Sequence, residues 1–172
     1  MNGIYATQLA YNYFRCKGPK WKPHRMVWSL NKTKRYSFLL WLTLCKRLYT
    51  RDRQRSVQGH KECLLCNTGL ETHQHLFFDC EMIGRIWVQI RNWLGIKRGS
   101  TNLYSAMRVL QRNSHKQHLI WRARAMALAA VVYLIWKGRN STMFESKPLD
   151  SNSIIVQVQK FVYSGLFFEQ GP

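Results

Sequence analysis

The stretch that decides the fold runs from Cys63 to Cys80 and reads CLLCNTGLETHQHLFFDC. It holds three of the chain's five cysteines and two of its six histidines. The pattern is C-x2-C (Cys63, Cys66), a short spacer, then His75 and, five positions on, Cys80. A closed structural zinc site takes four nitrogen or sulfur ligands in a tetrahedron, and Cys3His is one of its standard sets. The C-x2-C half reads as a turn that aims two thiolates at one centre. The second half reads as a short helix begun by Glu71 and Thr72. His73 competes for the fourth position. In a helix, His73 and Cys80 would be separated by about 10 Å of rise, too far to share an ion, whereas His75 and Cys80 meet at a helix end that can loosen. The spacing therefore selects Cys63, Cys66, His75 and Cys80, with His73 on the outer face. Four ordinary buried residues are the plainer alternative, since free cysteine is among the most buried residue types. A disulfide is the weaker one.

The flanks carry further landmarks. Upstream lie Trp28, the Phe38/Trp41 pair and an R-L-x-T-R-D turn (Arg47, Leu48, Thr50, Arg51, Asp52). Downstream are Ile86, Trp87 and a W-K-x-R-N segment, Trp136 to Asn140, followed by Phe144. Together with the Cys/His cluster, these residues resemble the reverse-transcriptase zinc-binding domain. That domain lies C-terminal to the polymerase in plant non-LTR (LINE-type) retrotransposon proteins and occurs in shorter host-encoded derivatives. The resemblance covers roughly residues 4–145. It implies a non-catalytic, zinc-stabilised module over 1–145, with the zinc segment at 58–82 and a helical extension over 146–172.

Charge is the outstanding global property. Among 172 residues, 27 Lys and Arg face eight Asp and Glu, a formal +19. The imbalance is concentrated early: residues 1–60 carry thirteen basic side chains and one acidic one, Asp52. Such an excess points to a polyanionic partner, nucleic acid before membrane lipid or an acidic protein. Lys17, Lys20, Lys22 and Arg25 surround Trp21, a pattern suited to phosphate contact with base stacking; Trp21 as a core side chain is an equal reading. Lys32, Lys34, Arg35, Lys46, Arg47, Arg51, Arg53 and Arg55 continue the stripe. Three clustered and two isolated cysteines (Cys16, Cys45) argue for a reducing compartment, nucleus or organelle.

Helical periodicity runs through most of the chain. The reading places helices at 4–15, at a short stretch after Pro23 bearing Val27, and at 36–46 as the central buried helix. Asn31–Arg35 reads as a connector. Thr50 caps a short Arg-rich helix that ends at Gly59. The segment 81–94 is amphipathic and closed by Gly95. A further helix carries Leu103, Met107 and Leu110. A long helix spans 116–139; residues 151–167 mix helix and strand signals, with a last helix the preferred reading. The apolar run Met126–Trp136 falls short of the about twenty residues a membrane span needs, so it reads as a buried helix. The fold class is all-α, with one Cys3His structural zinc site.

Catalysis is disfavoured by what the chain lacks. Its eight carboxylates are scattered, whereas two-metal phosphoryl chemistry needs them clustered. No phosphate-binding glycine loop or nucleophile elbow occurs. Asp52 reads as a local cap, and Asp79 and Glu81 as residues tuning the surroundings of Cys80. Cys45, on the apolar helix, reads as inert. The expected function is a non-catalytic zinc-stabilised nucleic-acid binder, favouring RNA or single strands, with no membrane and no small-molecule substrate. The alternative is a basic structural subunit that docks onto a ribonucleoprotein particle such as an organellar ribosome.

Overall fold

The computed structural model describes residue 27 and residues 34–54, 61–97, 99, 102–112 and 118–167. The expected helices at 4–15 and after Pro23 lie outside these residues, apart from Val27, which is buried. So do Trp28 and Gly59. The described residues form five α-helices and one isolated antiparallel bridge between Glu62 and Leu70. They are α1 (Lys34–Leu44), α2 (Glu81–Trp93), α3 (Leu103–Arg112), α4 (His118–Glu145) and α5 (Ser151–Phe167).

The centre of the fold is α4. Every residue from Ala125 to Val132 is buried, so the helix is apolar all round, as expected of one enclosed by neighbours. Alanines at 125, 127, 129 and 130 keep its surface low and let other helices approach. It is longer than the sequence reading gave it, and Leu119–Glu145 has the length and hydropathy of a membrane span. Its enclosure accounts for that apolarity: α5 packs along it most extensively, α1 next, and α3 touches it as well. Tyr36 of α1 fastens this layer, with ring centroids 4.3 Å from Tyr133 of α4 and 4.4 Å from Phe161 of α5.

The structure moves the central role away from α1. Ser37, Leu40, Thr43 and Leu44 form its buried face, whereas Phe38 is 49% exposed and Cys45 lies on the surface just past the helix. The run is apolar on every side, but only one side meets α4. The helix also starts earlier than expected, taking in Lys34 and Arg35. It ends in a Schellman motif: Lys46 N–H donates to the Thr43 carbonyl (3.0 Å) and Arg47 N–H to that of Leu42 (2.8 Å), with Lys46 at φ +52°. Glycine usually occupies that left-handed position. The same pattern closes α2 around Gly95 (φ +63°), as the sequence indicated.

Caps explain the remaining boundaries. Asn102 and Ser105 cap α3 reciprocally, Ser105 N–H donating to Asn102 Oδ1 (2.9 Å) and Asn102 N–H to Ser105 Oγ (3.2 Å). Asp150 Oδ1 accepts from the amides of Asn152 (2.9 Å) and Ser153 (3.1 Å) to begin α5. The turn between α4 and α5 folds tightly over Gly138, where a Cβ would come within 2.7 Å of Leu149 Cδ1. Buried Ile154, Ile155, Val158 and Val162 make α5 part of the common core, against both α4 and α2.

One buried ion pair ties the Cys/His segment to this bundle. Arg139 of α4 donates from Nε (3.0 Å) and Nη2 (2.7 Å) to Glu71 Oε1, with the two side chains 2% and 0% exposed. Removing one partner of such a pair leaves an uncompensated buried charge. Arg139→Leu should therefore lower stability by roughly 3–5 kcal/mol. Adding Glu71→Gln in that background should restore part of the loss, because the stranded charge is gone. Chemical denaturation of the two variants checks this, and equal midpoints would contradict it.

Candidate metal centre

The segment 61–80 is a hairpin-like knuckle followed by one wide helical turn. In the knuckle, Asn67 N–H donates to the Cys63 carbonyl (2.8 Å) and Cys63 N–H to the Gly69 carbonyl (2.9 Å). The reversal needs left-handed backbone at Asn67 (φ +55°) and Gly69 (φ +67°), residue types that tolerate it. Cys66 Sγ accepts from the Thr68 hydroxyl at 3.1 Å. Outer contacts of this kind orient a ligand sulfur.

The second half is not a plain α-helix. Thr72 caps it, its Oγ1 accepting from His75 N–H (3.0 Å), and His75–Asp79 then form a π-turn. That turn is closed by Cys80 N–H donating to the His75 carbonyl at 2.8 Å. An i→i+5 bond brings residues five apart onto one side, which solves the H-x4-C spacing. Single π-turns are frequent at functional sites. The turn is fixed from outside by Trp87 of α2, whose indole N–H donates to the Phe77 carbonyl (2.6 Å) and whose ring stacks on Phe78 (5.6 Å).

This backbone brings Cys63, Cys66, His75 and Cys80 together, with all four donor atoms within 4.8 Å of one another. Cys66 Sγ and His75 Nε2 are 3.2 Å apart. A tetrahedral zinc ion, with bonds of about 2.3 Å to sulfur and about 2.0 Å to nitrogen, needs donor separations of about 3.6–3.8 Å. Closure onto an ion thus asks for small side-chain movements only. Cys63 and Cys80 are fully buried. Four protein ligands complete a tetrahedron and make this a closed metal site.

Three thiols in so small a space interact strongly. Hydrogen bonding from Cys80 draws the Cys63 thiol down to about 5, against the opposing effect of its burial. The same bond, with burial, holds Cys80 well above the ordinary thiol range. One of the two sulfurs is thus ready as a thiolate, and a bound cation would take the place of the shared proton.

His73 is excluded as a ligand, as the spacing argued, but it is not on the outer face. It is half-buried, and its Nε2–H donates to the Leu48 carbonyl at 2.8 Å, stitching the π-turn to the end of α1. Asp79 and Glu81, expected to tune the site, turn away: Asp79 accepts from Gln74 (3.0 Å) and Glu81 pairs with Arg85 on the surface.

Glu71, which the sequence reading gave only a helix-starting role, is the structural hub of the segment. Besides Arg139, its Oε1 accepts from Arg51 N–H (3.1 Å) and its Oε2 from Leu64 N–H (3.4 Å). Its carbonyl accepts from Asp52 N–H (3.3 Å). The W-K-x-R-N segment held the signal for this, since an arginine at the end of an apolar core helix needs a buried acceptor.

Of the nucleic-acid contacts proposed from sequence, Lys17, Lys20, Trp21, Lys22, Arg25, Lys32 and Arg55 lie outside the described residues. The others fall into two groups at opposite ends of α1, separated by about 15 Å. Lys34 and Arg35 form one, with the Arg35 guanidinium over the Tyr36 ring (5.5 Å). Lys46, Arg47, Arg51 and Arg53 form the other, beside the metal segment. Arg51 and Arg53 sit on a 3-10 turn, Arg51–Arg53, that follows Thr50. The Thr50 hydroxyl bonds Asp52 there, a local role for that carboxylate.

Residues 5–87 match the family model described as zinc-binding in reverse transcriptase. No curated protein and no solved structure matches the chain.

Removing the metal with a chelator should loosen the knuckle and π-turn, and Cys63→Ser or Cys80→Ser should do the same. An unchanged thermal melt in either variant would count against the site. Cobalt substitution reads the ligand set directly: His75→Ala should alter the visible spectrum of the tetrahedral ion and His73→Ala should not. Because the ligands bind deprotonated, affinity should fall as the pH is lowered, which a competition titration against a chromophoric chelator measures.

Proposed function

Because residues 5–87 belong to the family of zinc-binding domains in reverse transcriptase, we propose that the chain is a non-catalytic nucleic-acid-binding module, stapled by zinc. Zinc suits a set of three sulfurs and one imidazole in tetrahedral array, and as a four-ligand site it serves folding rather than reaction. The ion would hold Cys63, Cys66, His75 and Cys80, and these residues would fix the loop from which the basic turn hangs.

The observation that carries the reading is the group Lys46, Arg47, Arg51 and Arg53. Among the described residues, no ion pair uses any of them. The three guanidinium heads are set by other contacts: Arg53 donates to the Lys46 carbonyl, Arg51 to the Glu62 carbonyl (3.0 Å), and Arg47 lies over the Trp41 ring (5.8 Å). A guanidinium has five N–H donors in a fork, so one bond to a carbonyl orients it and leaves donors for phosphate. Three oriented guanidinium groups and a lysine, none with a carboxylate partner, suit polyphosphate binding. The formal +19 supplies the long-range attraction. RNA or single strands are favoured over duplex, and the protein acts in a reducing compartment, nucleus or organelle.

Anisotropy titration of the metal-loaded chain with single-stranded RNA and duplex DNA tests this. Affinity should fall steeply with salt, the log–log slope shrinking by about 0.7 for each phosphate contact removed from a single strand. Arg51→Gln/Arg53→Gln should flatten the slope and weaken binding to all sequences alike. No binding at low salt, with co-purification on a ribonucleoprotein particle, would favour a docking subunit instead.

A further inference from the structure

Beside the metal segment lies a cleft of about 210 Å³, bounded by the end of α1, the 3-10 turn, the π-turn and the start of α3. It is smaller than the about 300–1,000 Å³ typical of whole-ligand pockets, so it suits one ring of a larger molecule. Its floor is apolar: Leu44, Phe77 and Leu103 line it and are buried. One wall is Tyr104, whose hydroxyl is tied to the Leu44 carbonyl (2.8 Å) while 49% of the residue stays exposed. A tyrosine fixed at its hydroxyl with its ring open to solvent is a ready stacking surface.

Charge decides what the cleft accepts. Lys46 and Arg53 line it together with the Asp52 carboxylate. That acid disfavours a phosphate inside, while the cations are continuous with Arg47 and Arg51 outside. Gln74 also lines the cleft, with its Nε2 donating to Asp79 Oδ1 (3.0 Å). A polar aromatic ring without charge, joined to a polyanion that lies across the rim, fits both parts. We propose that this cleft receives one unpaired base of a single-stranded nucleic acid, stacked on Tyr104, with flanking phosphates on Lys46, Arg47 and Arg53. The proposal rests on the nucleic-acid reading above and names the subsite that makes it selective for single strands.

The test compares two labelled single-stranded oligonucleotides of equal length, one intact and one with abasic sites throughout, so that the phosphates are the same. The full metal-loaded chain should bind the intact strand about tenfold more tightly, in line with stacking of one base. Tyr104→Ala, which removes the platform, and Gln74→Trp, which fills the mouth, should each bring the intact strand down to the abasic level. Both should leave the salt slope unchanged. Phe144→Ala, altering an aromatic outside the cleft that is 75% exposed, should keep the discrimination. Circular dichroism and metal content establish that each variant is folded. Equal affinity of the wild-type chain for both strands overturns the subsite while leaving the nucleic-acid reading in place. So does undiminished discrimination in folded Tyr104→Ala. Failure to bind either strand removes both readings.

Discussion

The structure depends on a carboxylate placed where water cannot reach it. Glu71 is fully buried, and an isolated buried charge of that kind costs several kcal/mol. It is tolerated because four donated bonds converge on the carboxylate: two from Arg139, and backbone donors from Arg51 and Leu64. Arg51, Leu64 and Arg139 belong to three different parts of the chain. The Arg-rich turn, the metal knuckle and the core helix α4 are thereby held in one mutual arrangement. Apolar packing favours compactness in general, but this pair is directional and fixes which surfaces meet.

The metal segment is built on the same logic of local constraint. A C-x2-C knuckle with two left-handed residues presents a pair of sulfurs almost independently of the rest. The other two ligands needed a backbone that an ordinary α-helix cannot supply, and the π-turn supplies it. Trp87 holds that turn open by taking up a carbonyl with its indole N–H and covering Phe78 with its ring. Aromatic packing from the next helix thus supports the spacing of the metal ligands.

Much of this was legible in the sequence. The four ligands followed from cysteine and histidine spacing, because metal chemistry restricts residue types and intervals tightly. Helix α2 followed from periodicity, and Gly95 marked its end because a left-handed position prefers glycine; the segment of α5 carried helix and strand signals together, and its packing on α4 and α2 decides for helix. The centre of the core was harder to read. In α1 every face is apolar, so periodicity cannot tell which side is buried, and Phe38 and Cys45 proved exposed. The extent of α4 was underestimated because its polar ends, Asn140–Glu145 among them, continue a helix that only tertiary packing sustains. The Glu71–Arg139 pair joins residues 68 positions apart, and no local pattern relates them. His73 looked like a surface residue because its partner is a backbone carbonyl, which a sequence does not display.

The match to residues 5–87 stops well short of α4, yet the cation that neutralises the buried carboxylate of that segment is Arg139. The unit of family similarity is therefore not the unit of folding. A fragment cut at the boundary of the match would retain all four metal ligands and still carry an acid designed for the inside of a protein, facing water or an apolar surface with no counter-charge. In this chain the metal segment is therefore complete only with a helix that brings an arginine to the right depth, a pair of parts rather than one.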